Sequence, residues 1–176
     1  TEKGVVMKGY IQVYTGDGKG KTTASLGLAL RAAGAGLKVY IAQFLKQGDY
    51  SEIKALSKFD NIRVEQFGAG RFVKGSPSDE EKALARAGYL KLCEVLTKKA
   101  HDVVIAEEGN VAVMCGLFSE KELLALMDMK PENVELVITG RGACQSVMNR
   151  ADLVTEMKEI KHYYHQGVMA RVGIEK

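Results

Sequence analysis

Glycines at positions 16, 18 and 20 alternate with Asp17 and Lys19 and run directly into Lys21, Thr22 and Thr23. Residues this small, beside this much positive charge, let backbone N–H groups approach an anion closely. A β-branched and aromatic stretch, 9–15, precedes them, and an alanine- and leucine-rich run, 20–36, follows. The segment therefore reads as strand, glycine loop and helix, the arrangement of a P-loop. In such a loop the N–H groups converge on phosphate oxygens, helped by the positive end of the helix. Lys21 reaches the phosphates as a point charge, and the Thr22 hydroxyl is placed to ligate Mg²⁺. The usual pattern has a glycine where this chain has Thr15. A dinucleotide fingerprint starting at Gly16 fails, because its third glycine falls on Lys21 and no acid stands near GLKVY, 36–40.

P-loops commonly share their metal ion with a carboxylate at the end of a nearby apolar strand. The run DVVIAEE, 102–108, supplies Glu107 and Glu108 at such a place, and alternation lets at most one of them face the loop directly. TGRGA, 139–143, follows another apolar strand and lands Arg141 at the same carboxyl edge, where open α/β sheets bind ligands. His162 and His165 have i, i+3 spacing but no third ligand in view. With Tyr163 and Tyr164 they are read as packing or interface residues. Cys93, Cys115 and Cys144 are scattered and form no C-x-x-C pair, which predicts reduced thiols in a cytoplasmic protein.

Positioning these residues requires a sheet. LKVYIAQFL (37–45), DVVIA (102–106) and VELVIT (134–139) are nearly continuous apolar runs, the mark of strands covered on both faces. Further strands are predicted at 61–67 and 152–156. Ser78 with Glu81, and Ser119 with Glu122, have capping-box spacing and open helices. The first of these carries an apolar stripe at Tyr89, Leu92, Cys93 and Leu96 and closes at Lys98 and Lys99. Strand and helix alternate throughout, so the expectation is one α/β domain over 1–176, P-loop NTPase-like, with a doubly wound, mostly parallel sheet and helices on both faces. Residues 68–77, GAGRFVKGSP, are the longest irregular segment and read as a lid.

Composition narrows the partners. The chain is 176 residues long and 46% hydrophobic, enough for one sizeable core. Its formal charge is only +3, without the lysine clusters of a nucleic-acid binder, so a small anionic ligand is the better match. No signal peptide and no membrane span are expected, since Arg31 and Lys38 break the most apolar long stretch. There is no N-K-x-D guanine-reading run.

Taken together, VYTGDGKGKTTASLGLALRAAG, VYIAQFLK, DVVIAEEGNVAV, LVITGRGA, and ADLVTEMKEIKH followed by GVMARVGIE resemble one family across almost the whole chain. It is the P-loop type of ATP:corrinoid adenosyltransferase, from bacterial cobalamin synthesis and salvage. The resemblance implies transfer of the 5′-deoxyadenosyl group of ATP to the cobalt of a reduced corrinoid, releasing triphosphate. Cobalt(I) is itself a strong nucleophile, so positioning and charge stabilisation replace a general base. Lys21 is the implied catalytic residue. Gly16, Asp17, Gly18, Lys19, Gly20, Lys21, Thr22, Thr23 and Arg141 form the implied nucleotide site. Thr22 and Glu108 carry Mg²⁺, with Glu107 the alternative, and Phe72 is the implied corrinoid-side residue. A flavoprotein reductant and a homodimer are implied as well. The family usually has Asp-Glu where this chain has Glu107-Glu108, and an aromatic pair with a tryptophan where it has Phe72 and Val73. A second reading keeps the nucleotide site but not corrinoid catalysis.

Overall fold

A strand that is apolar on both faces must be covered twice, and the chain does this with one sheet between two helical layers. The computed structural model describes residues 7–70, 73 and 75–176. The strands are β1 (Ile11–Thr15), β2 (Val39–Phe44), β3 (Ile62–Phe67), β4 (Val103–Glu107), β5 (Glu135–Thr139) and β6 (Leu153–Glu156). They lie in the order β3-β2-β4-β5-β1-β6, and every neighbouring pair is parallel. Among the described residues the α-helices are α1 (Lys21–Gly34), α2 (Ser51–Leu56), α3 (Asp79–Lys98), α4 (Gly109–Met114), α5 (Glu120–Asp128) and α6 (Gln145–Arg150).

The handedness of parallel crossovers decides which layer each helix joins. Connections from β1 to β2 and from β2 to β3 step one way along the sheet, so α1 and α2 share a face. Those from β3 to β4, β4 to β5 and β5 to β6 step the other way, so α3 to α6 take the opposite face. The core divides accordingly. Ile41, Ile105 and Val137 pack with Ala29, Ala32 and Leu56 on one side. Ala42, Phe44, Val104, Leu136 and Ile138 pack with Leu92, Leu96, Leu123 and Leu126 on the other. β1 sits where the two directions diverge, so its carboxyl end opens into the crevice that such sheets use for ligands.

The strand ends agree with the sequence reading to within two residues. Both capping boxes form, at Ser78 with Glu81 and at Ser119 with Glu122, and α3 stops at Lys99 in a left-handed conformation. Among the described residues no helix is long and apolar enough to cross a membrane. The three thiols are unpaired, and burial pushes each of them up, so they stay protonated. Arg71, Phe72 and Lys74 lie outside the described residues, and with them the expectations for Phe72 and for the middle of the 68–77 lid.

α3 lies close against the sheet at Gly88, where a Cβ would come 2.7 Å from both Phe44 Cε1 and Phe67 Cγ. Phe44 has no exposed surface and Phe67 packs against the same core. Gly88→Ala is therefore expected to destabilise the fold by about 1–3 kcal/mol through overpacking. A lowered urea midpoint at unchanged slope is the readout.

Candidate active site

Three strand ends build the site: the glycine loop after β1, the acidic pair at β4, and the TGRGA turn after β5. The loop is backed by Met157, just beyond β6. Gly18 N donates to Met157 O at 2.6 Å. A Cβ on Gly16 or Gly18 would lie 2.5 or 2.6 Å from that same oxygen. Gly16 and Gly20 also have positive φ, 95° and 121°, a region that L side chains rarely enter. The glycines are thus required by backing as well as by turning. Thr15, at the place of the usual leading glycine, is 7% exposed, and its Oγ1 accepts a hydrogen bond from Ala143 N at 3.2 Å. That bond ties the glycine loop to the arginine turn.

α1 begins at Lys21 behind Gly20, with no side chain capping its first turn and no acid within it. Its leading N–H groups are therefore not claimed by a side-chain cap. Lys21 folds back over the loop, Nζ donating to Gly18 O at 2.8 Å. Burial, then repulsion from Arg141, lowers its pKa below the usual lysine value. Lys19 instead reaches the C-terminal segment, donating to Ile174 O at 3.1 Å and pairing with Glu175 at 3.8 Å.

The two glutamates part company. Glu107 alternates with Val103 and Ile105, which pack on the α1 face, so its carboxylate points toward the first turn of α1. Glu107 has no exposed surface. Its Oε1 accepts from Thr22 Oγ1 at 2.5 Å and from Lys46 Nζ at 2.6 Å, and its Oε2 accepts from Gln43 Nε2. Glu108 is already past the strand, with φ at 59°, and its N–H donates to Thr139 Oγ1 at 3.1 Å. It lines the cleft, where burial and then the charge of Glu107 push its carboxyl up, against Lys46, Lys21 and Arg141. The sequence pairs Thr22 with Glu108 and keeps Glu107 as the alternative; in the structure the carboxylate in contact with Thr22 is that of Glu107, because strand parity carries it there.

Gln43 and Lys46 were not picked out from sequence. Gln43 was legible, since it pairs in register with Glu107 and shares its face parity. Lys46 was not, because Leu45 has φ at 63° and turns the chain out of strand geometry. Gly68 packs so closely there that a Cβ would lie 2.3 Å from Leu45 C. Burial alone would lower the pKa of Lys46, but the charge and hydrogen bond of Glu107, with help from Glu108, raise it above the ordinary lysine value.

These groups open on a cleft of about 1280 Å³. Asp17, Gly18, Lys19, Gly20, Lys21, Thr22 and Thr23 line it, with Lys46, Glu108 and Arg141. Leu26, Leu30, Leu56 and Phe59 supply an apolar wall. The residues nominated for nucleotide and metal thus lie at one edge of the sheet, Gly16 at the loop's backed start, while Phe72 lies outside the described residues. His162 and His165 also line the cleft, but His165 pairs with Glu159 at 2.7 Å and His162 Nδ1 accepts from Tyr164 N at 3.0 Å. Among the described residues no three His, Cys, Asp or Glu side chains cluster to hold a metal.

The family model of the ATP:corrinoid adenosyltransferases BtuR/CobO/CobP matches residues 7–175. The chain belongs to this family. It is 30% identical to a corrinoid adenosyltransferase of Escherichia coli K12, covering 96% of this chain and 86% of the relative. It is 30% identical to a Pseudomonas aeruginosa corrinoid adenosyltransferase, covering 96% and 84%. Among solved structures, a KaiC-like protein of Pyrococcus horikoshii superposes with a TM-score of 0.58 at 11% identity, over 88% of this chain and 75% of that one. The cytoplasmic domain of EssC does so with a TM-score of 0.54 at 18% identity, over 93% and 34%. These two likenesses concern the fold alone.

Thr15→Val keeps the shape of the side chain but strips Ala143 N–H of its acceptor. A loss of about 1–3 kcal/mol is expected for the unpaired donor, and equilibrium unfolding in urea measures it.

Proposed function

We propose that this family member transfers the 5′-deoxyadenosyl group of ATP to the cobalt of a reduced corrinoid and releases triphosphate. The observation that carries the reading is one cleft lined by a glycine loop, Lys21 and Arg141, in a chain matched by the family model from residue 7 to 175. The cobalt(I) electron pair forms the bond to C5′, and the bond from C5′ to the α-phosphate oxygen breaks, its electrons leaving with the triphosphate. That leaving group gains negative charge as it departs. Lys21, Arg141 and the first-turn N–H groups of α1, which line the same cleft, would stabilise that charge. No residue has to take a proton in this step. A binding protein without catalysis would keep the nucleotide site, but nothing in the cleft favours that reading.

Magnesium belongs to the same proposal. Thr22 Oγ1, Glu107 and Glu108 offer oxygen donors only, the kind Mg²⁺ prefers, and Mg²⁺ commonly takes few protein ligands beside phosphate and water. Thr22 and Glu107 are the pair in contact, so they would hold the ion, with Glu108 on the cleft side. When bound, it would neutralise phosphate charge. We extend the proposal to a homodimer, supported by Leu153 and Val154, which stay exposed on the edge strand β6. A cytoplasmic location is supported by the unpaired, protonated thiols, and a flavoprotein reductant fits the need for cobalt(I).

Lys21→Ala should cost about 3 kcal/mol in the transition state, about a hundredfold in rate, with circular dichroism unchanged. An assay with ATP, Mg²⁺ and chemically reduced cobalamin reads the rate and the phosphate product. Orthophosphate in place of triphosphate would overturn the assignment. For the metal, Glu107→Gln is expected to raise the Mg²⁺ concentration needed for half-maximal activity more than Glu108→Gln does. The reverse order would make Glu108 the ligand.

A further inference from the structure

Lys46 occupies a place that the reaction as described leaves without a role. Its ammonium is 2.6 Å from Glu107 Oε1 and 3.5 Å from Thr22 Oγ1, the two residues that would hold a divalent ion. The other carboxylate oxygen of Glu107 is taken by Gln43, so the buried carboxylate is satisfied by protein groups alone. Oε1 already accepts from both Thr22 Oγ1 and Lys46 Nζ, which takes up its lone pairs, so a divalent ion drawn to Oε1 competes with the ammonium for the same oxygen. The side chain is not a stray surface lysine. The left-handed turn at Leu45 aims it inward, and Gly68 leaves no room for that turn to relax. It is also one of the cations lining the cleft, with Lys19, Lys21 and Arg141.

We propose that Lys46 is a resident cation of the Glu107 carboxylate: it holds the place between Glu107 and Thr22 until a divalent ion arrives with ATP, and then gives its charge to the triphosphate. The proposal rests on the metal reading above and adds an exchange to it. In the free enzyme the ammonium keeps the carboxylate from standing buried and unpaired, a costly state. With nucleotide bound, the divalent ion takes over that duty and the ammonium is released toward phosphate, where a charge-assisted hydrogen bond is worth more than a neutral one. One positive charge thus serves two partners in succession, and the site acquires its full positive charge only when the anion is present to balance it.

The exchange gives effects of opposite sign, which a purely structural lysine would not. Mn²⁺ binding to the full-length chain is followed by the electron paramagnetic resonance signal of the free ion, first without nucleotide and then with ATP. Removing the competing charge in Lys46→Met should tighten binding of Mn²⁺ alone about tenfold, while affinity for ATP in the presence of Mn²⁺ falls about tenfold. Lys46→Gln keeps a hydrogen-bond donor for Glu107 without the charge and should behave the same way, which protects the test if the methionine variant does not fold. Lys46→Arg keeps the charge and should leave binding of Mn²⁺ alone near wild type. Should Mn²⁺ bind wild type with ATP while neither uncharged variant holds Mn²⁺ alone more tightly, the exchange is overturned and the metal reading stands. If Mn²⁺ binds neither wild type nor variant even with ATP, both fall.

Discussion

Glu107 is a carboxylate without exposed surface, and burying such a group is tolerable only when its charge is matched and its lone pairs are used. It meets that condition by drawing on Thr22 from α1, Gln43 from β2 and Lys46 from the loop after β2. Those contacts fasten the helix that follows the glycine loop to the middle of the sheet. Without them the loop would still be glycine-rich, but it would have no fixed distance from the acidic strand end. The position of the loop relative to the acidic strand end is therefore held by one buried side chain.

A second set of polar contacts does the equivalent work on the other flank. Thr15 holds Ala143, Thr139 holds the N–H of Glu108, and Asn110 donates to Gly140 O at 3.1 Å. The first joins β1 to the turn after β5 and the other two join that strand end to the end of β4, so the three strand ends form one laced edge rather than three independent turns. Positively charged side chains then converge on an uncapped helix start, and this suits a reaction whose difficulty lies in the charge of the leaving group rather than in moving a proton.

Much of this was legible from sequence, for reasons that can be named. Buried parallel strands are continuous apolar runs, which is why β2, β4 and β5 stood out. The capping boxes at Ser78 and Ser119 are local chemistry and need no tertiary context. The six-residue helices α2, α4 and α6 are too short to show an apolar period, and α4 starts from a left-handed Glu108, which no propensity announces. Choosing between Glu107 and Glu108 required relating strand parity to the face that carries α1, a step that depends on crossover direction. Lys46 could not be placed at all, because one residue with positive φ decides where it points.

The backing of the glycine loop by Met157 has a consequence in time. β6 and the residue after it are contributed late: Ile11 hydrogen-bonds Asp152 across 141 residues of chain. At ordinary elongation rates the ribosome needs on the order of ten seconds to make that stretch. During that interval β1 and its loop exist without the strand that shapes them, and the nascent chain carries an unmoulded anion loop beside an unpaired strand edge. The nucleotide loop is thus completed only after synthesis has passed β6, and a message cut short before β6 would encode much of the core but no formed loop.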